Sequence, residues 1–250
     1  MRAIRSRKLQ LLLLAQLTSQ AGYFTFYVSQ AWLALELTNS PGLVTMISTA
    51  GVAPFLFFAI PAGALADRAN RRKLMIGSRV LAVSAFTVEG VLVATGLVQP
   101  WHMLVVAFIA GIGIAIDNPA QFKSIADAVR PDEIPSASAL VALDFQVSVI
   151  LGPILGGLLL EAYGPAPGIF AAAAGNFALI LCYIALRIPT ARGHTTESPW
   201  VGAVQGLKFV FTNRSVGLCA LLWCVMILVI NPYQALMSVF ARDEIRTGGF

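Results

Sequence analysis

Charge is what this sequence has least of. Asp, Glu, Lys and Arg make up 12% of its 250 residues, about half the 25% of a typical soluble domain. With 58% apolar residues and a mean hydropathy of +0.79, a water-soluble fold would leave far too much grease on its surface. The composition is that of a polytopic membrane protein. Histidine is nearly absent too: His102 and His194 both fall in turns, where they read as solvated rather than catalytic. The three cysteines, Cys182, Cys219 and Cys224, lie in apolar runs outside any Cys-x-x-Cys pattern. They read as small packing residues, which excludes a disulfide framework and a metal site. No nucleophile elbow or phosphate-binding glycine loop occurs. Gly111 and Gly113 form a Gly-x-Gly in mid-helix with no strand before it, so they read as helix packing. An enzyme, a cofactor and a metal are therefore not expected. The net charge of +5 could suggest nucleic acid in a soluble protein. Here the basic residues sit at helix ends, so anionic lipid headgroups and membrane orientation explain them, and no nucleic-acid partner is expected.

Long apolar runs are what the sequence has in plenty. A hydrocarbon core near 30 Å needs helices of about 20 residues. Such runs are read at about 9–37, 43–66, 74–98, 103–122, 139–160 and 169–186, with a seventh at about 216–240. Arg2, Arg5, Arg7 and Lys8 ahead of the first run imitate a signal peptide, but no small-residue cleavage site closes it, so it is read as a first transmembrane helix. Turns are expected at Asn39–Gly42, Gln99–His102 (with Trp101 as an interface anchor) and Tyr163–Gly168. A more polar connection is expected over Lys123–Ser138. Arg187–Pro199 is the longest polar stretch. Val201, Val204, Leu207, Lys208 and Phe211 after it have helical spacing, which predicts a short amphipathic helix on the membrane surface. The fold class is all-α integral membrane. Its expected domains are a six-helix N-terminal bundle over 1–187, a linker with the amphipathic helix over 188–214, and the first helix of a truncated second bundle over 215–250.

Orientation follows from counting. With a cytoplasmic N-terminus, fifteen of the seventeen Lys and Arg residues fall on the inner side. They include Arg68, Arg71, Arg72 and Lys73 between the second and third runs, and Arg79 near the start of the third. The first three outer turns hold none, an asymmetry that predicts a multi-pass protein of the cell membrane with its N-terminus inside.

The densest charged stretch is Gly63-Ala64-Leu65-Ala66-Asp67-Arg68-Ala69-Asn70-Arg71-Arg72-Lys73. A positive-inside anchor explains its basic residues but not its Gly, its Asp or their spacing. The pattern Gly-x-Leu-x-Asp-Arg-x-x-Arg-Arg-Lys resembles the signature loop of the major facilitator superfamily, between that family's second and third helices. Asn70 stands where Gly is usual, and Asn tolerates left-handed backbone geometry. In the fifth run, Gly152-Pro153-Ile154-Leu155-Gly156-Gly157 resembles the superfamily's antiporter motif. Glu36-Leu37-Thr38-Asn39-Ser40-Pro41 and Asn118-Pro119-Ala120 resemble its drug-, macrolide- and siderophore-exporter-like branch. Many proton-driven members have an Arg in the fourth helix four residues before a Gly. Here that place is Ala107, before Gly111, so that coupling apparatus does not carry over.

The resemblance implies two six-helix bundles, each of inverted three-helix repeats, with a substrate site between them at mid-membrane. The chain would cover one bundle, the linker and one further helix, as a fragment whose C-terminal bundle is missing. It implies a gating role for Gly63, Asp67, Arg68, Arg71 and Arg72, with Asp127 as ionic partner. It implies a rocking contact at Gly152, Pro153, Gly156 and Gly157, where small residues let helices approach. Gln16, Gln20, Tyr23, Tyr27 and Gln30 recur every three or four residues and share one helix face. That face suits protein or a wet cavity better than lipid, and the first helix lines the substrate cavity in the family. The alternative is hydrogen bonding between helices. Intramembrane acids are functional candidates by default. Asp144, two turns before Gly152, leads as a proton site, and Asp117 and Glu89 follow. The expected function is proton-coupled export of a drug-like or siderophore-like small molecule. The alternatives are an importer of the same fold and a non-transporting membrane scaffold or sensor.

Overall fold

The computed structural model describes residues 7–68, 70–186, 204, 208–222 and 225–226, with no account of the side chains at 7, 8, 56, 59, 60, 64, 66–68 and 125–128. The described residues hold six long helices: α1 (Arg7–Thr38), α2 (Pro41–Arg68), α3 (Arg71–Ala94), α4 (Pro100–Ala128), α5 (Ile134–Tyr163) and α6 (Pro165–Ala185). One turn of 3-10 helix, Pro131–Glu133, leads into α5. Four stretches among the described residues are long and apolar enough to cross a membrane: Arg71–Ala94, Pro100–Ser124, Pro131–Tyr163 and Ala166–Ala185. Helical turns recur at 208–212 and 214–222. The rest of the expected linker, amphipathic helix and seventh span lies outside the described residues.

Six runs become six helices, but their ends differ from expectation in a consistent way. Prolines read as turn residues open helices instead. Pro41, Pro100 and Pro165 are the first residues of α2, α4 and α6, because a proline at N1 lacks only an N–H that has no helical partner anyway. At the start of α4, Gln99 donates its backbone N–H to His102 Nδ1 at 2.9 Å, so His102 belongs to a helix cap. The polar stretch after Phe122 does not break α4, which runs on to Ala128. Helix α3 stops earlier than expected. Gly96, at φ 71°, allows Leu97 N to bond Leu92 O and Gly96 N to bond Val93 O, the glycine-closed end typical of helices. Asn70 is a further correction. Its backbone is extended (φ −62°, ψ 103°) rather than left-handed, and its side chain caps α3 by accepting from Lys73 N. Asn is favoured at that cap position, so Asn70 serves the loop as a cap.

The packing exchanges partners between the two halves of the bundle. Helix α1 lies against α5 and α6, and α4 lies against α2 and α3. Thus the first helix of each triplet packs into the other triplet. Glycines permit these approaches. A Cβ on Gly111 would sit 2.2 Å from Gly51 O of α2, and one on Gly152 would sit 2.3 Å from Phe24 Cβ of α1. Three apolar clusters fill the interior along its length. One, near the α2–α3 loop, centres on Leu12, Met75, Leu179 and Tyr183. The middle one holds Phe26, Phe86 and Ile169. The third, at the opposite end, holds Leu33, Leu35, Val44, Ile47 and Met103.

Candidate functional site

Polar groups in this interior gather at two levels, one on each side of the middle cluster. The level nearer the α2–α3 loop is built around Arg79 of α3. Its guanidinium forms an ion pair with Asp117 of α4, whose carboxylate is fully buried. Nη1 of Arg79 donates to Asn176 Oδ1 of α6 at 2.8 Å and to Ser19 Oγ of α1 at 3.2 Å. Ser78 Oγ donates to Asp117 Oδ1 at 3.4 Å. One turn further along, Gln121 of α4 donates to Gln16 of α1. Four helices are thereby tied together by one charge pair and its hydrogen bonds. A buried pair persists when its remaining lone pairs and protons are also satisfied. Ser19, Ser78 and Asn176 satisfy several of them, and Arg79 Nε is left without a partner.

The other level lies near the α1–α2 turn. Glu89 of α3 is 0% exposed. Gln30 Nε2 of α1 donates to its two oxygens at 3.1 and 3.4 Å and approaches Met103 O of α4 at 3.4 Å. No Lys or Arg among the described residues pairs with Glu89. Beside Gln30, a cavity of about 20 Å³ opens between α1, α2 and α4, lined by Tyr23, Tyr27, Ile47, Ser48 and Ala107. Tyr27 Oη donates to Ser48 Oγ at 3.0 Å across it.

The expected first-helix stripe is therefore shared out. Gln16 and Gln30 are buried at 3% and reach neighbouring helices. Tyr23 and Tyr27 line the small cavity, and Gln20 is half-buried. Asp117 is held by Arg79. Asp144, half-buried on α5, leaves Oδ2 without a hydrogen-bond partner. In the Gly-Pro motif, Gly152 and Gly156 press on α1, whereas nothing lies within 4 Å of where a Cβ on Gly157 would be, and Pro153 is exposed. Thr25 of α1 donates to Gly152 O at 2.9 Å, which ties the motif to the first helix. In the signature loop, Arg72 Nη2 donates to Ile184 O at 2.8 Å, at the end of α6, and open space lies beside Gly63. Arg71 is half-buried. The side chains of Asp67, Arg68 and Asp127 lie outside the described ones.

Arg79 is the main residue that sequence reasoning misplaced. Counted among the inner-side cations, it sits two turns inside α3 and joins the interior. The available signal was its position beyond the apolar Leu74-Met75-Ile76. Ser19, Ser78, Gln121 and Asn176 were passed over because a lone small polar residue in an apolar run carries little weight. Among the described residues, no group of three or more His, Cys, Asp or Glu could hold a metal ion.

Comparison with known proteins accounts for this architecture. A family described as transmembrane secretion effector matches residues 2–250. The chain belongs to that family, a branch of the major facilitator superfamily. It is 28% identical over 214 residues to the multidrug efflux pump Tap of Mycolicibacterium fortuitum, covering 81% of this chain and 52% of that protein. It is 24% identical to macrolide efflux protein A of Streptococcus pyogenes, covering 83% of this chain and 52% of that one. Among solved structures, a peptide transporter, POT, in complex with alafosfalin superposes with a TM-score of 0.62 at 16% identity, over 87% of this chain and 46% of that one. That similarity bears on the fold alone. The chain spans about half the length of the curated relatives it matches. It is thus a multi-pass membrane protein of an efflux-transporter family, with the major facilitator half-bundle as its fold.

Proposed function

We propose that this chain supplies the N-terminal bundle of a proton-driven exporter of amphipathic, drug-like or siderophore-like small molecules, with its N-terminus in the cytoplasm. The observation that carries the reading is the partner-exchanged six-helix bundle in a chain whose aligned relatives are named as efflux pumps. Alternating access would rock this bundle against a second one, with substrate and protons favouring different states by differential affinity. The cavity lined by Tyr23, Tyr27 and Gln30 offers phenols and an amide, which suit a broad amphipathic ligand better than a small ion. Gly63, Asp67, Arg68, Arg71, Arg72 and Asp127 form the gate at the loop end. Gly152, Pro153, Gly156 and Gly157 form the rocking contact, consistent with Gly152 and Gly156 pressing on α1. Protons would act on an intramembrane carboxyl. Asp117 already faces a cation, which favours Glu89 and Asp144 for that role.

The test is dye and macrolide extrusion from cells carrying the full reading frame, with and without collapse of the proton gradient. Extrusion that stops on collapse supports proton-driven export. Gradient-dependent uptake would make the protein an importer, and movement in neither direction would remove the transporter reading. Asp67→Asn with normal expression and unchanged extrusion would remove the gating role of the loop.

A further inference from the structure

Glu89 is placed unlike any other acid in the described chain. It is wholly buried, yet only an amide bonds to it. A carboxylate buried in a membrane is costly unless paired or protonated. Asp117 meets that requirement with Arg79. Glu89 has no such cation, and every element packed around it is similarly poor in charge. Helix α1 brings Tyr23 and Tyr27, with Glu36 further out beyond the apolar cluster. Helix α4 brings His102, whose Nδ1 is occupied by the N–H of Gln99. Helix α6 brings Phe170, against Gly90, and its titratable Cys182 and Tyr183 lie at the far end. Helix α2 has neither charge nor titratable group from Pro41 to Gly63. On α3 itself, Arg79 is ten residues away and engaged.

Gln30 also connects Glu89 to a cavity. Gln30 bonds Glu89 and lines the cavity between α1, α2 and α4. At about 20 Å³ the cavity admits one water, for which about 10–15 Å³ of such space is needed. The Tyr27 and Ser48 hydroxyls supply hydrogen-bonding partners there. Along the bundle axis toward the α1–α2 turn lie instead the packed apolar side chains of Leu33, Leu35 and Met103. We propose that Glu89 is a proton-binding carboxyl of this bundle, reached from the α1–α2–α4 face through Gln30.

The proton balance is simple. In the structure the Gln30 amide donates N–H to the two carboxyl oxygens, the arrangement that suits the ionised state. On proton uptake the new O–H needs an acceptor, and Gln30 Oε1 provides it when the amide turns over. The turn carries the NH₂ group away from Glu89. One proton thus exchanges donor for acceptor at Gln30, which borders the cavity together with the proposed ligand-facing phenols. Use of this site in transport rests on the proton-driven reading above. Its existence does not.

The experiment is infrared difference spectroscopy of the full chain in lipid nanodiscs, titrated with pH and repeated in deuterium oxide. A carboxylic-acid C=O band that shifts on deuteration is expected. Side-chain ¹³C labelling of glutamate should move it, since Glu89 is the one glutamate among the described residues that is buried. Glu89→Gln should abolish the glutamate-labelled band. Gln30→Leu should slow its exchange with deuterium at least several-fold. A band that ignores glutamate labelling, or no band at any pH, overturns the proposal even if Glu89→Gln fails to fold. Proton-independent extrusion by the whole transporter would overturn the transport reading while leaving the band in place, so the two failures are distinguishable.

Discussion

At the loop end of the bundle, Arg79 meets Asp117 and draws in Ser19, Ser78 and Asn176 from three more points of the surrounding helices. At the other end, Glu89 is equally buried but has only the Gln30 amide. Both acids lie in the same low-dielectric interior, so burial does not distinguish them. What differs is whether a cation is built in. An acid with a fixed counter-charge can remain ionised and hold helices together. An acid without one is stable there when it carries a proton. The first arrangement suits a clasp, and the second suits a group that changes state.

The largest way to break this comparison is Arg79→Leu. It strands Asp117 in the interior, and losing one partner of a buried pair costs about 3–5 kcal/mol. The unfolding midpoint in detergent should fall sharply or the protein should fail to accumulate. Arg79→Leu with Asp117→Leu should be less damaging than Arg79→Leu alone, because no charge is then left unpaired. A double variant as unstable as the sum of its parts would mean that the pair is not a unit. Gln30→Leu should cost less, about 1–3 kcal/mol for a buried acceptor left without its donor. Its cost should shrink as the pH is lowered, because a neutral Glu89 carboxyl left without Gln30 is cheaper to bury than a carboxylate. A pH-independent loss would mean that Glu89 does not change its charge.

A third, smaller effect is expected outside both levels. Arg72→Gln removes the charged group at the C-terminal end of α6, where Arg72 now donates to Ile184 O. Cations near helix C-termini contribute about 0.3–1 kcal/mol and are screened by salt. The difference from wild type should therefore narrow when salt is raised, whereas the Arg79→Leu difference should not, since buried pairs are screened far less. Equal salt sensitivity in both variants would place Arg79 nearer water than the structure does.

These contrasts also show which features could be read from the residues. The six spans were legible because apolar length is a property of single segments. The Gly-Pro motif and the signature loop were legible because their spacing is local. The partner of Arg79 was not, since Asp117 and Asn176 are 38 and 97 residues distant in the chain. Nothing in an isolated helix says which neighbour it will face. The same holds for the first-helix stripe. Its period put Gln16, Tyr27 and Gln30 on related faces, but α1 is enclosed by α5 and α6. Two of its three amides make cross-helix bonds, Gln16 to α4 and Gln30 to α3, and Gln30 also lines the small cavity. Helix ends were misjudged where proline has two meanings, as at Pro41, Pro100 and Pro165, since the residue that ends one helix also opens the next.

The subtlest test concerns the cavity beside Glu89. Tyr27→Phe removes one hydroxyl and leaves the ring, so its packing against the apolar cluster at that end is kept. The bond to Ser48 is lost, and such bonds between membrane helices average about 0.6 kcal/mol. A stability change of that size is near the limit of a detergent unfolding curve. The informative readout is instead the rate at which deuterium reaches Glu89. If water in the cavity is held by the Tyr27 and Ser48 hydroxyls, Tyr27→Phe should slow that exchange while barely moving the unfolding midpoint. If exchange is unchanged but stability falls, Tyr27 is only a tie between α1 and α2. The route to Glu89 would then have to pass along the bundle axis, through the cluster of Leu33, Leu35 and Met103.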